Sequence, residues 1–225
     1  QFIVVDDGST DETEIVVRGY GSKIIYIKKE NGGKSSALNL ALPMVSGEFV
    51  WIFDDDDVAY PDALEQHLTL HKRKSNLGFT YGFHDWGETG SDGHIRCIIK
   101  PTLPKVFAAP VEYQRINLLR YCAFMHSACV VRRSLYEKVG GFREDLHRSQ
   151  DYEMIIRLSQ ASDFQFTGSR TYIIRKHEGL RGPAANLHSN ADRRRVWMGY
   201  DFKIGESILK NIELNYYVAN SIDFS

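Results

Sequence analysis

"FVWIFDDDDV", residues 49–58, runs five apolar residues, Phe49 to Phe53, straight into four aspartates, Asp54 to Asp57. The apolar run has the length and the aromatic and β-branched content of a strand buried on both faces, as in the middle of a parallel sheet. Its exit is abruptly anionic. Four adjacent carboxylates repel one another, so placing them at one strand end calls for a cation, and hard divalent ions such as Mg²⁺ or Mn²⁺ take oxygen ligands. The plainer reading is a solvated acidic turn before the helix that starts near Pro61.

The pattern of an apolar run closed by polar or small residues repeats to either side. "FIVV" (2–5) is a short strand that breaks into the loop and helix cap "DDGSTDET", and "KIIYI" (23–27) is a second, closed by the glycine pair of "KKENGGK". "KSSALNLALPM" puts Ala37, Leu38, Ala41 and Leu42 on one helical face and ends at Pro43. Beyond the aspartates, Pro61 suits a first helical turn, and Leu64, His67, Leu68 and His71 share a face. "FTYGF" (79–83), "SACVV" (127–131) and "TYII" (171–174) read as strands, and "GETGSDGHI" (87–95) as a hairpin-like turn. "RSLYEKVGGF" is a short helix stopped by Gly140 and Gly141, and "DYEMIIRLSQ" (151–160) brings Tyr152, Ile155 and Ile156 to one face. Strands alternating with helices predict an α/β fold with right-handed crossovers and a mainly parallel sheet flanked by helices. Ligands of such sheets bind at the carboxyl ends of the strands, which gathers Asp6, Asp7, Lys34 and Asp54 to Asp57 at one rim.

Bulk properties exclude several classes. The 225 residues are enough for one large α/β domain, and 28 Lys plus Arg against 29 acids leave a formal net charge of -1, so no overall field recruits nucleic acid or a membrane. Cys97, Cys122 and Cys129 are odd in number and lack a metal or redox spacing, which points to buried thiols in a reducing, cytoplasmic setting. No apolar stretch approaches the ~20 residues of a membrane span, so attachment at the inner face of a membrane would be peripheral or through segments outside this sequence.

At this point five stretches, in order, resemble the family 2 glycosyltransferases, inverting enzymes of the GT-A fold that use nucleotide-sugar donors. They are "VVDDGSTDET" (4–13), "NGGKSSALNLAL" (31–42), "GEFVWIFDDDDVAYPDALE" (47–65), "VVRRSLYEKVGGFRED" (130–145) and "SQDYEMIIRLS" (149–159). The resemblance implies a single domain over 1–225: a nucleotide-sugar-binding half over 1–100, an acceptor and catalytic half over 101–180, and a helical segment over 181–225. It also implies a donor linked to UDP and a saccharide, lipid-linked or protein hydroxyl as acceptor. A further strand and helix are expected ahead of Phe2, so the chain is expected either to be a truncated product or a piece, or to have something else filling that sheet edge.

Carried over by residue, the resemblance implies that Asp7, with Asp6 beside it, contacts the base. Lys34 approaches the base or diphosphate; a lone lysine at a helix start is otherwise disfavoured, and a phosphate partner gives it a reason. Asp54 and Asp56 match the ends of the family's DXD motif, Asp54 toward ribose or metal and Asp56 as direct metal ligand, with Asp55 on the substrate and Asp57 sharing the work. Asp151 stands where the family carries its catalytic base, able to take the proton of an attacking hydroxyl. Many members have Glu before that Asp, where this chain has Gln150. Glu153 is a rival carboxylate whose simpler reading is a helix-surface residue. In "RKHEGLRG" (175–182), His177 is a candidate third metal ligand and Arg181 a phosphate clamp, while Arg193 to Arg195 read as a solvated helix face or a contact with an anionic membrane. Two other readings stay open: a nucleotidyltransferase, against which the absence of a glycine-rich phosphate loop counts, and a catalytically inactive nucleotide-binding domain, which Gln150 favours.

Overall fold

The computed structural model describes residues 1–90, 92, 94–176 and 190–212. Strand β1 (Phe2–Asp7), helix α1 (Thr13–Arg18) and strand β2 (Ile24–Lys29) form a βαβ unit whose strands pair in parallel, Phe2 opposite Ile24 through Asp7 opposite Lys29. Helix α2 (Lys34–Ala41) follows the glycine pair, and the quoted aspartate stretch supplies β3 (Phe49–Trp51) and β4 (Val58–Ala59) on either side of its loop. Next come α3 (Ala63–Arg73), the long strand β5 (Leu77–Thr89), β6 (Ile95–Ile99), α4 (Val111–Leu118), β7 (Cys129–Arg132), α5 (Arg133–Val139), α6 (Gln150–Ala161), β8 (Asp163–Lys176) and α7 (Asn190–Asn211).

β1 and β2 make a two-stranded sheet, and the other strands a six-stranded one in the order β3-β7-β5-β8-β4, with β6 on β5. The α/β class with flanking helices stands, but the sheet is mixed where a mainly parallel one is expected. Parallel pairing is confined to β1 with β2 and β5 with β8, and the remaining described pairs run antiparallel. The reason is physical: an apolar run fixes a strand's burial but not its direction, and β4 and β7, two and four residues long, carry no directional signal. The strand expected over Phe49 to Phe53 stops at Trp51, where Ile52 and Phe53 leave the ladder and lift the aspartates to the rim.

Along β5, residues 77–83 are all buried, because helices cover both faces at that point. Phe79 stacks on Phe164 of β8 at 4.8 Å and Tyr81 on Phe124 at 3.9 Å, and Leu158, Met154 and Ile155 of α6 close the same cluster. Each such side chain contributes roughly 1.5–3 kcal/mol by leaving water. The Tyr81 hydroxyl does not stay unpaired, donating to Gln114 Oε1 at 2.5 Å.

Helix α3 corrects a sequence expectation. Its buried face is Ala63, His67 and His71, at four-residue spacing, and Leu64 is 47% exposed. His67 Nδ1 meets Thr80 Oγ1 at 2.8 Å and His71 Nε2 meets the Val130 carbonyl at 3.2 Å, so the histidines give this face polar anchors on β5 and β7 that leucines could not.

Candidate active site

The rim is built from strand ends. Asp6 and Asp7 close β1. Asp6 is buried, accepting the Ser9 N–H at 2.6 Å on Oδ1 and the Tyr26 hydroxyl at 2.5 Å on Oδ2. Burial works against its charge, yet these donors hold its carboxyl below the usual range. Asp7 accepts Lys29 Nζ at 2.6 Å and the N–H groups of Gly32 (2.9 Å) and Gly33 (2.7 Å). In this structure both aspartates therefore brace the loop that leads into α2. That loop needs its glycines: Gly33 has φ +87°, and at Gly8 (φ +85°) an added Cβ would stand 2.9 Å from Asn31 N.

Lys34, the first residue of α2, reaches across to Asp54 and forms an ion pair with its Oδ1. The other oxygen, Oδ2, accepts the Ser127 hydroxyl at 3.0 Å. Burial disfavours the lysine's charge, but Asp54, Asp151 and Asp56 together raise its proton affinity. One cation thus lies in the field of both the aspartate loop and the candidate base. The loop itself is pinned from β8, where the Arg175 N–H donates to Asp57 Oδ1 at 3.1 Å and Arg175 Nε to the Asp56 carbonyl at 2.8 Å.

Carboxylate oxygens of Asp54, Asp56 and Asp57 come within 4.8 Å of one another. That is close to the span of oxygens on opposite sides of a hard cation holding each at about 2.1 Å. Asp57 is strained as an anion: burial, then repulsion from Asp56 and Asp54, push its carboxyl up to about 6 against the Arg175 N–H. An all-carboxylate donor set carrying excess negative charge fits Mg²⁺ or Mn²⁺. Asp55 is exposed and outside this cluster.

Asp151 sits in the first turn of α6, with its Oδ1 accepting the Tyr152 N–H at 2.9 Å. Ser149, just ahead, adopts the left-handed φ of 57°, a conformation that costs a non-glycine residue about 1 kcal/mol or more and turns the chain sharply into the helix. Glu153 is not the surface residue expected of it. It is 3% exposed and gripped twice by Arg157, at 2.9 and 2.8 Å, while Arg157 also donates to the carbonyls of Val139 and Gly141 at 2.8 Å each. The pair fastens the end of α5 to α6 and turns Glu153 away from the rim chemistry. His177 and Arg181 lie outside the described residues.

Three rim residues have no counterpart in the sequence reading. Ser127 and Arg175 hold the aspartates as described. His126 is 4% exposed, with Nε2 3.0 Å from the Tyr136 hydroxyl; burial, aided by Lys34 and opposed by Asp151 and Asp54, pulls its proton affinity down to about 4, so it is neutral near pH 7. The available signal was positional only, since His126 and Ser127 form a polar pair directly before an apolar strand.

Residues 1–140 match the family model described as glycosyl transferase family 2. The chain belongs to that family. Among relatives, an uncharacterized glycosyltransferase of Rickettsia prowazekii (strain Madrid E) is 29% identical over 201 residues, an alignment covering 89% of this chain and 62% of the relative. The chain thus spans about three fifths of that protein's length. Its fold is shared with Staphylococcus aureus TarS 1-349 crystallised with UDP-GlcNAc, at a TM-score of 0.67 and 19% identity over 99% of this chain and 64% of TarS. The mannosyltransferase PcManGT from Pyrobaculum calidifontis, in complex with GDP-Man and Mn²⁺, superposes with a TM-score of 0.53 at 22% identity, covering 81% of this chain and 49% of that one. These neighbours establish the GT-A-like α/β architecture.

Proposed function

We propose that this chain transfers a sugar from a nucleotide-sugar donor, UDP-linked in preference to GDP-linked, to a hydroxyl acceptor with inversion, using a divalent cation. The observation that carries the reading is the convergence of Asp54, Asp56 and Asp57 opposite Lys34, with the Asp151 charge acting on the same lysine. Support comes from family membership and from neighbours crystallised with UDP-GlcNAc, and with GDP-Man and Mn²⁺.

In this reading Asp56, Asp54 and Asp57 hold the cation, which when bound offsets charge developing on the departing diphosphate. Lys34 moves between Asp54 and the diphosphate, so it screens the empty rim and then the bound donor. Asp6 and Asp7 keep the loop shaped for the nucleoside, and Asp55, exposed in the aspartate loop, faces the donor. Asp151, fixed by the Tyr152 N–H, takes the acceptor hydroxyl proton as the new C–O bond forms on the face opposite the leaving group. His177 and Arg181 remain candidates for the cation and the diphosphate, residues 1–100 the donor half and 101–180 the acceptor half. The acceptor is a saccharide, lipid-linked or protein hydroxyl. Among the described residues no helix is long and apolar enough to cross a membrane.

Isothermal titration with UDP and with GDP, each with and without Mn²⁺, tests the donor site. Tighter UDP binding in Mn²⁺ is expected, and preference for GDP would move the reading to guanine-linked donors. Asp151→Asn should keep that binding and lose transfer to an acceptor. A variant as active as wild type would place the base elsewhere, whereas wild type that binds UDP yet transfers nothing would support a nucleotide-binding domain without chemistry of its own.

A further inference from the structure

Tyr172 of β8 is fully buried, yet its hydroxyl has no hydrogen-bond partner among the described residues. Buried hydroxyls are nearly always paired, so an orphan in a well-packed strand asks what it is kept for. Its position answers in part. In the β4–β8 ladder Tyr172 stands opposite Ala59, two residues past Asp57, and its ring meets that of Phe53, the residue before Asp54, edge-on at 6.0 Å. The aspartate loop therefore leaves the sheet after Trp51, passes the Tyr172 ring at Phe53 and rejoins the sheet at Val58, beside this side chain. Three residues along the same strand, Arg175 grips the loop through the Asp57 carboxylate and the Asp56 carbonyl.

The Asp57 carboxylate that Arg175 grips also acts on the hydroxyl. After burial, Asp57 is the largest influence, followed by the Cys129 thiol, Asp54 and the Cys122 thiol, and all of them raise the hydroxyl's hold on its proton. A tyrosine kept protonated in the field of two carboxylates is a donor waiting for an acceptor. With the rim held only by protein groups, Arg175 donates to Asp57, and Asp54 is shared between the Ser127 hydroxyl and Lys34.

We propose that Tyr172 is a positioning residue for the cation site: its hydroxyl donates to the inner oxygen of Asp57 when that carboxylate turns to face a divalent ion. The inference rests on the reading of Asp54, Asp56 and Asp57 as the cation's ligands. A hydrogen bond from behind fixes the direction of a ligating carboxylate, and losing such a support weakens metal binding by roughly ten- to a hundredfold. The orphan is then a cost borne by the ion-free protein and removed by the ion.

Tyr172→Phe deletes one oxygen and keeps the ring, so it separates the two states. Mn²⁺ affinity is measured by calorimetry in saturating UDP, and melting temperature without metal. Mn²⁺ binding at least about tenfold weaker, with an ion-free melting temperature equal to or above wild type, is the expected result. Unchanged Mn²⁺ affinity would overturn the proposal. So would a lower ion-free melting temperature, which would mean that the hydroxyl already makes a bond, for instance to a buried water, without the ion. The wild-type titration keeps the two readings distinct: if wild type shows no Mn²⁺ dependence, the cation site itself is lost and this role with it, whereas Mn²⁺-dependent wild-type binding matched by the variant removes only Tyr172.

Discussion

The Lys34 ammonium pairs with Asp54, twenty residues away in sequence, across the mouth of the aspartate loop. Their side chains are 42% and 35% exposed, so water screens the pair and its loss costs little folding energy. Lys34→Met should change stability by less than about 1 kcal/mol in chemical denaturation. Its effect should fall on the donor instead, with a raised KM for the nucleotide sugar, because Lys34 stands in the field of Asp54, Asp56 and Asp151 together.

Glu153 and Arg157 make the opposite case, since the carboxylate is buried and its removal strands a guanidinium among backbone carbonyls. Breaking a buried pair from one side costs about 3–5 kcal/mol. Glu153→Ala should accordingly lower the melting temperature by roughly 10 °C in a chain of this size. Residual activity, corrected for folded fraction at low temperature, should stay near wild type; a further loss of a hundredfold or more would restore Glu153 as a rival base.

His67 sets a pH limit on folding. It is fully buried and neutral, and burial drives its proton affinity down to about 3, from an ordinary value near 6.5. The unfolded chain therefore binds a proton here that the folded chain refuses. Stability is full above about pH 6.5 and falls with decreasing pH, by up to about 1.4 kcal/mol per unit, until the folded form also titrates near pH 3. Urea midpoints between pH 7 and 4 should show this slope, and His67→Gln should flatten it.

Asn39 ties α2 to the chain just beyond α5. Its side chain accepts the Phe142 N–H at 2.7 Å and donates to the Phe142 carbonyl and to Glu144, both at 2.9 Å. Asn39→Ala leaves the Phe142 backbone groups unpaired and should cost about 1–3 kcal/mol. Hydrogen exchange should report faster exchange at Phe142 and its neighbours, while amides of β5 keep their protection.

Much of this layout was legible beforehand, for reasons that differ by element. Phe2 to Val5 and Phe49 to Trp51 announce strands because apolar runs end abruptly in charge, and strand ends gather at one rim, which is why Asp54, Asp56 and Lys34 were found together. Strand direction was not legible, because side-chain alternation is identical in parallel and antiparallel ladders. Leu64 misled because a hydrophobic residue beside buried histidines looks like the better core residue until His67 finds Thr80. Glu153 was misplaced since a carboxylate on a helix is exposed by default, and only its grip by Arg157, itself anchored on Val139 and Gly141, explains its burial. Arg175 and Tyr172 act on a loop well over a hundred residues earlier, a distance that no local pattern spans.

The separateness of β1 and β2 bears on when, and not only where, the rim takes shape. A two-stranded parallel ladder whose crossover helix buries no residue is marginal by itself in water, so its amides are expected to exchange faster than those of the six-stranded sheet. The six-stranded sheet carries the aspartate loop on a stiffer body. A ligand that bridges Asp7 and Asp54 would therefore find one half of its site rigid and would have to quiet the other half as it arrives. Part of the binding enthalpy would go into ordering, and the association would be read as a slow tightening that follows first contact.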